Sequence, residues 1–229
     1  MSNLEKYLRV GKDYSLPRTM KALLLSGKGE QNLKLTTLEV PKCGDNQLLA
    51  RVDSAIVCAS DNKLIDQGGD HALMYGWDVS KYPVTIGHEG SVTLVKVGNN
   101  LKSRYRVGQR FAIQPAIPTG PRYYEERYRD HAKNISKIAV GYTLPGLFAE
   151  YVLLSEEVID AGCLLPFPSE MIPYFGAALA EPISCVIASQ ERMLHVLKDS
   201  PTAPRRAEIG PKKKGVTLIV GAGPMGLIH

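Results

Sequence analysis

The chain has 229 residues, of which 44% are hydrophobic and 22% charged, and its net charge of +5 comes from 28 Lys and Arg against 23 Asp and Glu. This length allows one or two domains, and the composition is that of a globular protein. No stretch approaches the ~18 consecutive apolar residues of a membrane span, and the N-terminus lacks the apolar core of a signal peptide. The basic residues concentrate at 122–129 and 205–214, but Glu, Pro and Gly interrupt both runs. We therefore expect solvated loops that bind neither nucleic acid nor membrane, on a cytoplasmic protein.

Short apolar segments separated by turn residues dominate the first 170 residues. After a polar arm at residues 1–20, these segments predict strands at residues 20–24, 33–40, 47–57, 91–97, 111–114 and 146–154. Residues 61–83 and 115–142 between them have no clear periodicity and are predicted to be irregular. Many short strands joined by Gly and Pro turns indicate a β-barrel or sandwich. The predicted fold class is therefore mostly β with some α.

The pattern becomes helical after residue 170. Apolar residues recur at helical spacing over residues 175–197. Pro182 divides them, because proline is tolerated only in the first turn of a helix. We expect a short helix before Glu181 and a longer helix after Pro182.

The last residues resemble the start of a nucleotide-binding unit. Residues 201–215 have the composition of a linker, and V-T-L-I-V at 216–220 predicts a buried parallel strand. The glycine-rich G-A-G-P-M-G follows at 221–226, a pattern that holds a dinucleotide pyrophosphate at a helix N-terminus. The candidate cofactor residues are Gly221, Gly223, Pro224, Met225 and Gly226. The acidic ribose-binding residue expected ~20 positions later lies beyond His229, so we expect no useful cofactor affinity from this chain alone.

Four residues at strand ends and a helix break carry metal-binding chemistry. Cys58 follows the strand at 47–57, His88 and Glu89 lie in a corner bracketed by glycines, and Glu181 precedes Pro182. Cys, His and carboxylate are the protein ligands of catalytic zinc, which takes three of them and keeps one position open. Each residue also has a structural explanation, as a buried thiol or as a charge near a helix N-terminus. Spacing alone leaves both explanations open.

The ordered set of motifs resembles one family. The motifs are C-A-S-D at 58–61, G-H-E-G at 87–90, V-G-Q-R-F at 107–111, F-A-E-Y at 148–151, A-E-P-I-S-C at 180–185 and G-A-G-P-M-G at 221–226. Together they resemble the zinc-dependent medium-chain alcohol and polyol dehydrogenases. Among these, the chain looks most like the sorbose-1-phosphate reductase-like and sorbitol dehydrogenase-like members.

The resemblance implies a fold and a domain organisation. The family combines a GroES-like β-barrel catalytic domain with a Rossmann domain. We therefore expect an arm at residues 1–20, a GroES-like domain at 21–170, linking helices and a basic linker at 171–215, and the start of a dinucleotide-binding domain at 216–229. Only the first strand and the phosphate loop of the Rossmann domain are expected, so the chain is predicted to be truncated relative to its family.

The resemblance also assigns roles to individual residues. Cys58 and His88 would be zinc ligands, and Glu89 and Glu181 would be carboxylates of which either could bind the metal. Ser60 would pass the substrate proton towards solvent, and Asp61 would orient the ligand histidine. Many relatives carry four close cysteines for a structural zinc. Residues 115–145 contain no cysteine, so we expect one catalytic Zn²⁺ and no structural zinc.

The implied reaction converts a secondary alcohol or polyol, with sugar phosphates among the candidates, to its ketone with NAD or NADP. This expectation applies to a full-length parent, which would be a homo-oligomer acting on a small alcohol or ketone. Two alternatives stay open. One is a catalytically inactive metal-binding module, which is the expected behaviour of the 229 residues alone. The other is a zinc-free quinone reductase-like relative, which would have no reason to keep Cys58, His88, Glu89 and Glu181 together.

Overall fold

The computed structural model describes residues 13–212 and 214–229. The predicted arm at residues 1–20 thus lies largely outside the described residues. The chain divides into two compact units, Met1–Leu179 and Ala180–His229. None of the described helices is long and apolar enough to cross a membrane.

Antiparallel strands form the first unit, as the spacing of apolar residues predicted. They are β1 (Thr19–Leu25), β2 (Leu33–Glu39), β3 (Leu48–Ile56), β4 (Val84–Thr85), β5 (Glu89–Val97), β6 (Arg110–Ile113), β7 (Ala116–Ile117), β8 (Ile138–Ala139), β9 (Tyr151–Leu154) and β10 (Leu164–Pro166). A five-stranded sheet has the order β10-β6-β5-β3-β9, a three-stranded sheet has the order β2-β1-β4, and β7 pairs with β8. The long strands β3 and β5 pair from Leu48↔Val97 to Ile56↔Glu89, with two register shifts between.

Two apolar clusters hold this unit together. One contains Leu48, Leu94 and Leu154 from neighbouring strands, all fully buried. The other contains Leu25 and Trp77 and packs beside the candidate site described below. Each fully buried leucine stabilises the folded state by roughly 1.5–3 kcal/mol. The strand β5 lies between β3 and β6, so hydrogen bonds along both of its edges hold it in the sheet.

In the described part of the first unit there are three α-helices: α1 (Ala59–Gln67), α2 (Glu156–Asp160) and α3 (Tyr174–Ala178). Short 3-10 helices occupy Glu30–Asn32, Gly68–Asp70, Asn99–Leu101, Glu125–Arg127 and Arg129–Ala132. The prediction of an irregular segment at 61–83 was wrong in its first part, because residues 61–67 belong to α1. Leu64 and Ile65 bury the inner face of this helix, while the residues on its outer face are polar.

The second unit contains α4 (Ala180–Glu191), β11 (Leu194–Leu197), β12 (Arg206–Ile209) and α5 (Pro224–Ile228). As predicted, the helical pattern divides near Pro182, which lies in the first turn of α4. The predicted extension of this helix to residue 197 is wrong. Residues 194–197 instead form β11, which pairs antiparallel with β12, a strand that lies inside the predicted linker. The hydrogen bonds between these two strands thus override the local helical pattern.

The predicted strand at 216–220 also differs from the structure. These residues have no regular secondary structure, and Val216, Leu218 and Val220 are 98%, 84% and 90% exposed. A buried parallel strand needs hydrogen-bonding neighbours on its edges and apolar cover on both faces. Among the described residues, nothing provides either to this segment.

Candidate metal centre

The sheet register brings two of the predicted ligands to one place. Ile56, at the end of β3, pairs with Glu89, at the start of β5. Because the strands are antiparallel, the residue two positions after Ile56 and the residue just before Glu89 leave the sheet at the same end. Cys58 and His88 are those residues. Two positions thirty residues apart in sequence thus become neighbours.

A glycine determines how the backbone enters β5. Gly87 has φ 93°, and a Cβ atom at this position would lie 2.5 Å from the Phe148 ring. A residue with a side chain would be strained by its φ and would also collide with the ring. Gly87 therefore lets the chain turn tightly just before His88.

The side chains of Cys58, His88 and Glu89 converge. Their ligand atoms (the thiol sulfur, a ring nitrogen and a carboxylate oxygen) all lie within 4.8 Å of one another. His88 Nε2 lies 4.0 Å from Glu89 Oε1. His88 and Glu89 are buried, at 5% and 4% exposed, and Cys58 is half-buried. Three different metal-ligating groups thus lie together in a largely buried position.

Asp61 holds two of these groups at once. Its Oδ2 accepts a hydrogen bond from the backbone N–H of Cys58 at 2.9 Å, as the N3 carboxylate of a capping box at the start of α1. Its Oδ1 lies 3.0 Å from His88 Nδ1. A proton on Nδ1 that bonds to this carboxylate leaves Nε2 as the nitrogen available to a metal. One carboxylate, 1% exposed, therefore connects the Cys58 backbone to the His88 imidazole.

Ser60 lies directly beside the cluster. Its hydroxyl donates to Cys58 Sγ at 3.1 Å and lies 3.2 Å from His88 Nε2. Because α1 begins right after Cys58, the Ser60 side chain turns back over the helix start towards these two groups. The predicted proton-relay residue is thus within hydrogen-bond reach of the predicted ligands.

The environment of Cys58 favours its protonated form when no metal is bound. Burial raises the pKa of the Cys58 thiol, and the nearby Glu89 carboxylate raises it further, against the lowering effect of the Ser60 hydrogen bonds. A thiol must lose its proton to bind a metal. A bound metal cation would offset the proximity of the thiolate to a carboxylate.

The residues present fit a zinc ion. Zinc binds Cys sulfur at about 2.3 Å and His nitrogen or carboxylate oxygen at about 2.0–2.2 Å, so its tetrahedral ligands stand roughly 3.5 Å apart. The ligand atoms of the cluster lie within 4.8 Å of one another, which is close to that spacing. The set of one thiol, one imidazole and one carboxylate leaves a fourth position open, as catalytic zinc sites do. The Asp61–His88 hydrogen bond supplies the outer carboxylate that zinc-ligating histidines require.

The remaining predicted site residues lie in the second unit. Glu181 is in the first turn of α4, where its Oε1 accepts a hydrogen bond from the Cys185 thiol at 3.7 Å. The glycine-rich loop precedes α5, with Gly223 as its N-cap and Pro224 in the first turn. A Cβ atom on Gly226 would lie 2.0 Å from the carbonyl oxygen of Gly221, so this loop requires glycine at 226. The loop thus adopts the predicted turn into a helix without the predicted strand before it.

Sequence reasoning missed an aromatic neighbour of the site. The ring of Tyr142 lies 5.6 Å from the His88 ring and 5.1 Å from the His71 ring. Tyr142 is buried, and its neighbours in sequence, Gly141 and Thr143, give no periodic signal that would mark it. Its ring is tilted by 41° against the imidazole and forms part of the buried surroundings of His88.

Comparison with known proteins identifies the class. Residues 44–162 match the family described as alcohol dehydrogenase GroES-like domain, and this range contains Cys58, Ser60, Asp61, His88 and Glu89. The chain therefore belongs to the medium-chain dehydrogenases that carry this domain. This finding confirms the resemblance and the predicted fold class.

Particular relatives include two sugar-phosphate enzymes. The chain is 33% identical over 202 residues to mannitol-1-phosphate 5-dehydrogenase of Aliivibrio fischeri, covering 87% of this chain and 43% of that protein. It is 32% identical over 214 residues to L-sorbose 1-phosphate reductase of Klebsiella pneumoniae, covering 92% and 47%. The structure is also similar to 2R,3R-butanediol dehydrogenase of Bacillus subtilis, with a TM-score of 0.56, 25% identity, and coverage of 77% and 48%. The chain thus spans about half the length of the relatives that it matches.

Proposed function

We propose that Cys58, His88 and Glu89 hold one zinc ion and that this centre serves the oxidation of an alcohol or the reduction of its ketone. The convergence of the three ligand atoms within 4.8 Å carries the proposal. The supporting features are the histidine–carboxylate hydrogen bond of Asp61 and the membership of the chain in a family of alcohol dehydrogenases. Glu89 is proposed as the third ligand because it lies in the cluster.

Different residues have different roles in the proposed reaction. When bound, zinc supplies a Lewis acid that stabilises negative charge on a substrate oxygen. Ser60 Oγ takes up the hydroxyl proton of the alcohol and passes it towards solvent. Asp61 holds the His88 ring and the Cys58 backbone in a fixed position relative to each other through its two hydrogen bonds. The buried positions of His88 and Glu89 exclude water from the inner side of the site.

We propose a polyol or a sugar phosphate as the substrate class and a nicotinamide cofactor as the hydride carrier. The relatives at 32–33% identity are named for mannitol 1-phosphate and sorbose 1-phosphate. The glycine-rich loop at 221–226, with its close approach of Gly226 to Gly221, supports dinucleotide binding by the residues around it. In this proposal the loop supplies the first turn of the cofactor site.

The reaction is tested with the purified 229-residue chain and a panel of polyols and their phosphates, each with NAD⁺ and NADP⁺. Turnover that disappears in Cys58→Ala and falls by about 10²–10⁴ in Ser60→Ala supports the dehydrogenase. A chain that holds zinc and reduces none of the cofactors supports the second candidate, a metal-binding module without catalysis. All three proposed ligands lie in the first unit, which favours this candidate. Reduction of quinones at an equal rate in Cys58→Ala would instead establish a zinc-free reductase.

A further inference from the structure

The first unit contains a cavity whose lining residues are separate from the candidate metal centre. It has a volume of about 310 Å³, at the small end of the range for ligand sites. Its lining contains no member of the Cys58, Ser60, Asp61, His88 and Glu89 group. It consists mainly of apolar and aromatic surface with a few polar groups: Tyr123, Tyr124, Tyr128, Thr143, Ser155 and Glu157 are among the lining residues.

A buried carboxylate lines this cavity. Glu157, on α2, is 2% exposed. Its Oε1 accepts a hydrogen bond from the backbone N–H of Arg122 at 3.3 Å, whereas its Oε2 is buried without a hydrogen-bond partner among the described residues. Burial of an ionised carboxylate is costly unless each oxygen meets a donor. Glu157 Oε2 thus lacks a donor in the chain itself.

The neighbouring acids and bases do not supply that donor. The Arg122 guanidinium pairs with Asp160 at 2.7 Å and approaches Glu156 at 3.7 Å. The guanidinium is thus paired with these two acids and makes no hydrogen bond to Glu157, which bonds only to the Arg122 backbone N–H. The hydroxyl of Ser155, at the start of the same helix, is likewise buried without a partner among the described residues. Thr143 Oγ1, in the same lining, also has no partner among the described residues, so three polar groups in one cavity are left for a ligand.

Three tyrosines surround these groups. Tyr123 and Tyr124 are exposed at the mouth, and Tyr128 is buried. Burial raises the pKa of Tyr128 to about 12, and the nearby Glu157 contributes, so this phenol stays neutral. The rings of this segment already accept a cation, because the Arg127 guanidinium lies 3.9 Å from the centre of the Tyr124 ring.

We propose that this cavity binds a small organic ammonium ion, with its charged nitrogen at Glu157 Oε2 and Ser155 Oγ and its apolar body against the tyrosines. An ammonium group carries several N–H donors and a positive charge, which match the unpaired carboxylate oxygen. Aromatic faces around a carboxylate are a known way to bind such ions in proteins. The proposal does not depend on the metal centre.

The test uses benzylamine as the probe, with benzyl alcohol and benzoate as matched controls for charge. Binding to the full 229-residue chain is measured by calorimetry at constant ionic strength. Benzylamine should bind at least about tenfold more tightly than benzyl alcohol, and benzoate should not bind. The single tryptophan, Trp77, provides a second readout, because its ring packs edge-on against Tyr128 at 4.9 Å.

Variants distinguish binding of benzylamine inside the cavity from a general attraction to negative charge on the protein. Glu157→Gln keeps the shape of the side chain and should weaken benzylamine binding at least about tenfold. Ser155→Ala tests the second polar group with little risk to folding. Asp160→Asn removes a negative charge from the same helix outside the cavity and should leave binding within about twofold. Equal binding of benzylamine and benzyl alcohol, or unchanged binding in both Glu157→Gln and Ser155→Ala, would overturn the proposal.

Discussion

Asp61 is the residue on which the geometry of the candidate metal centre most depends. Its two oxygens connect the start of α1 to the His88 ring, so a single side chain sets the positions of two ligands from different elements. Sequence motifs identified Asp61 as a partner of the histidine, but not as a helix cap. The usual N-cap residues are Ser, Thr, Asp and Asn, and the cap of α1 is Cys58, so the helix start carries no ordinary signal.

Replacement of Asp61 by Asn should weaken zinc binding by about 10–100-fold. An amide cannot carry the charge that holds the Nδ1 proton, and it presents only one acceptor to two donors. Competition with a chelator of known affinity measures the change. Asp66→Asn is the matched control, since Asp66 is exposed on the same helix. Equal affinity of the two variants would show that Asp61 does not orient the ligands.

Asp53, which is not part of the candidate metal centre, should make the free energy of unfolding depend on pH. Its carboxylate, on β3, accepts hydrogen bonds from Thr93 Oγ1 and, at 3.0 Å, from Arg51 Nε. Burial nevertheless raises the pKa of this carboxyl above its ordinary value. The folded state thus binds the proton more tightly than the unfolded state, and the contribution of Asp53 to stability falls as pH rises through that raised pKa.

Urea denaturation between pH 4 and pH 7 tests this sign. Asp53→Asn cannot ionise, so the free energy of unfolding of the variant should improve relative to wild type as the pH rises over this range. Asp66→Asn, on the exposed face of α1, should show no such trend. A variant that loses stability relative to wild type as pH rises would indicate that the Arg51 and Thr93 contacts outweigh burial.

At the scale of elements, the strands of the first unit were predictable and several other features were not. The strands β1, β2, β3, β5 and β6 lie where apolar runs bounded by turns predicted them. The helix α1 is short and mostly polar, so its sequence has little periodic signal apart from Leu64 and Ile65. The β11–β12 hairpin and the exposed segment at 216–220 depend on which partners are available, and a local pattern does not contain that information.

The turn before β5 can be tested by adding one methyl group. Gly87→Ala should lower the free energy of unfolding by at least about 3 kcal/mol, because it combines a positive φ with a collision against the Phe148 ring. Gly162→Ala is the control: its φ is +69°, with no atom within 4 Å of the added carbon, so about 1–2 kcal/mol is expected. Chemical denaturation measures both. Equal losses would mean that the Phe148 ring moves aside.

At the scale of the whole molecule, the two units contribute differently to the proposed function. The first unit contains a packed β structure and the complete Cys58, His88 and Glu89 cluster. The second contains Glu181 and the glycine-rich loop, whose roles stay predictions. Sequence motifs could indicate the candidate ligands but could not choose between Glu89 and Glu181, because that choice depends on distances between side chains. Glu89 is the proposed third ligand because its carboxylate lies within 4.8 Å of the ligand atoms of Cys58 and His88.

Zinc binding should therefore stabilise the first unit, which contains all three proposed ligands. A ligand that binds only the native state adds about 2.7 kcal/mol at one hundred times its Kd, so the melting temperature should rise with zinc and fall on chelation.

Metal loading of the purified chain tests the central claim most directly. Elemental analysis should find about one zinc per chain in wild type and in Glu181→Gln, and less than half of that in Cys58→Ser and Glu89→Gln. Cobalt replacement should give a thiolate-to-metal absorption band in wild type that is absent in Cys58→Ser. Less than half an equivalent of zinc in the wild-type chain, or equal loading in Cys58→Ser, would contradict the assignment of this cluster as a metal centre.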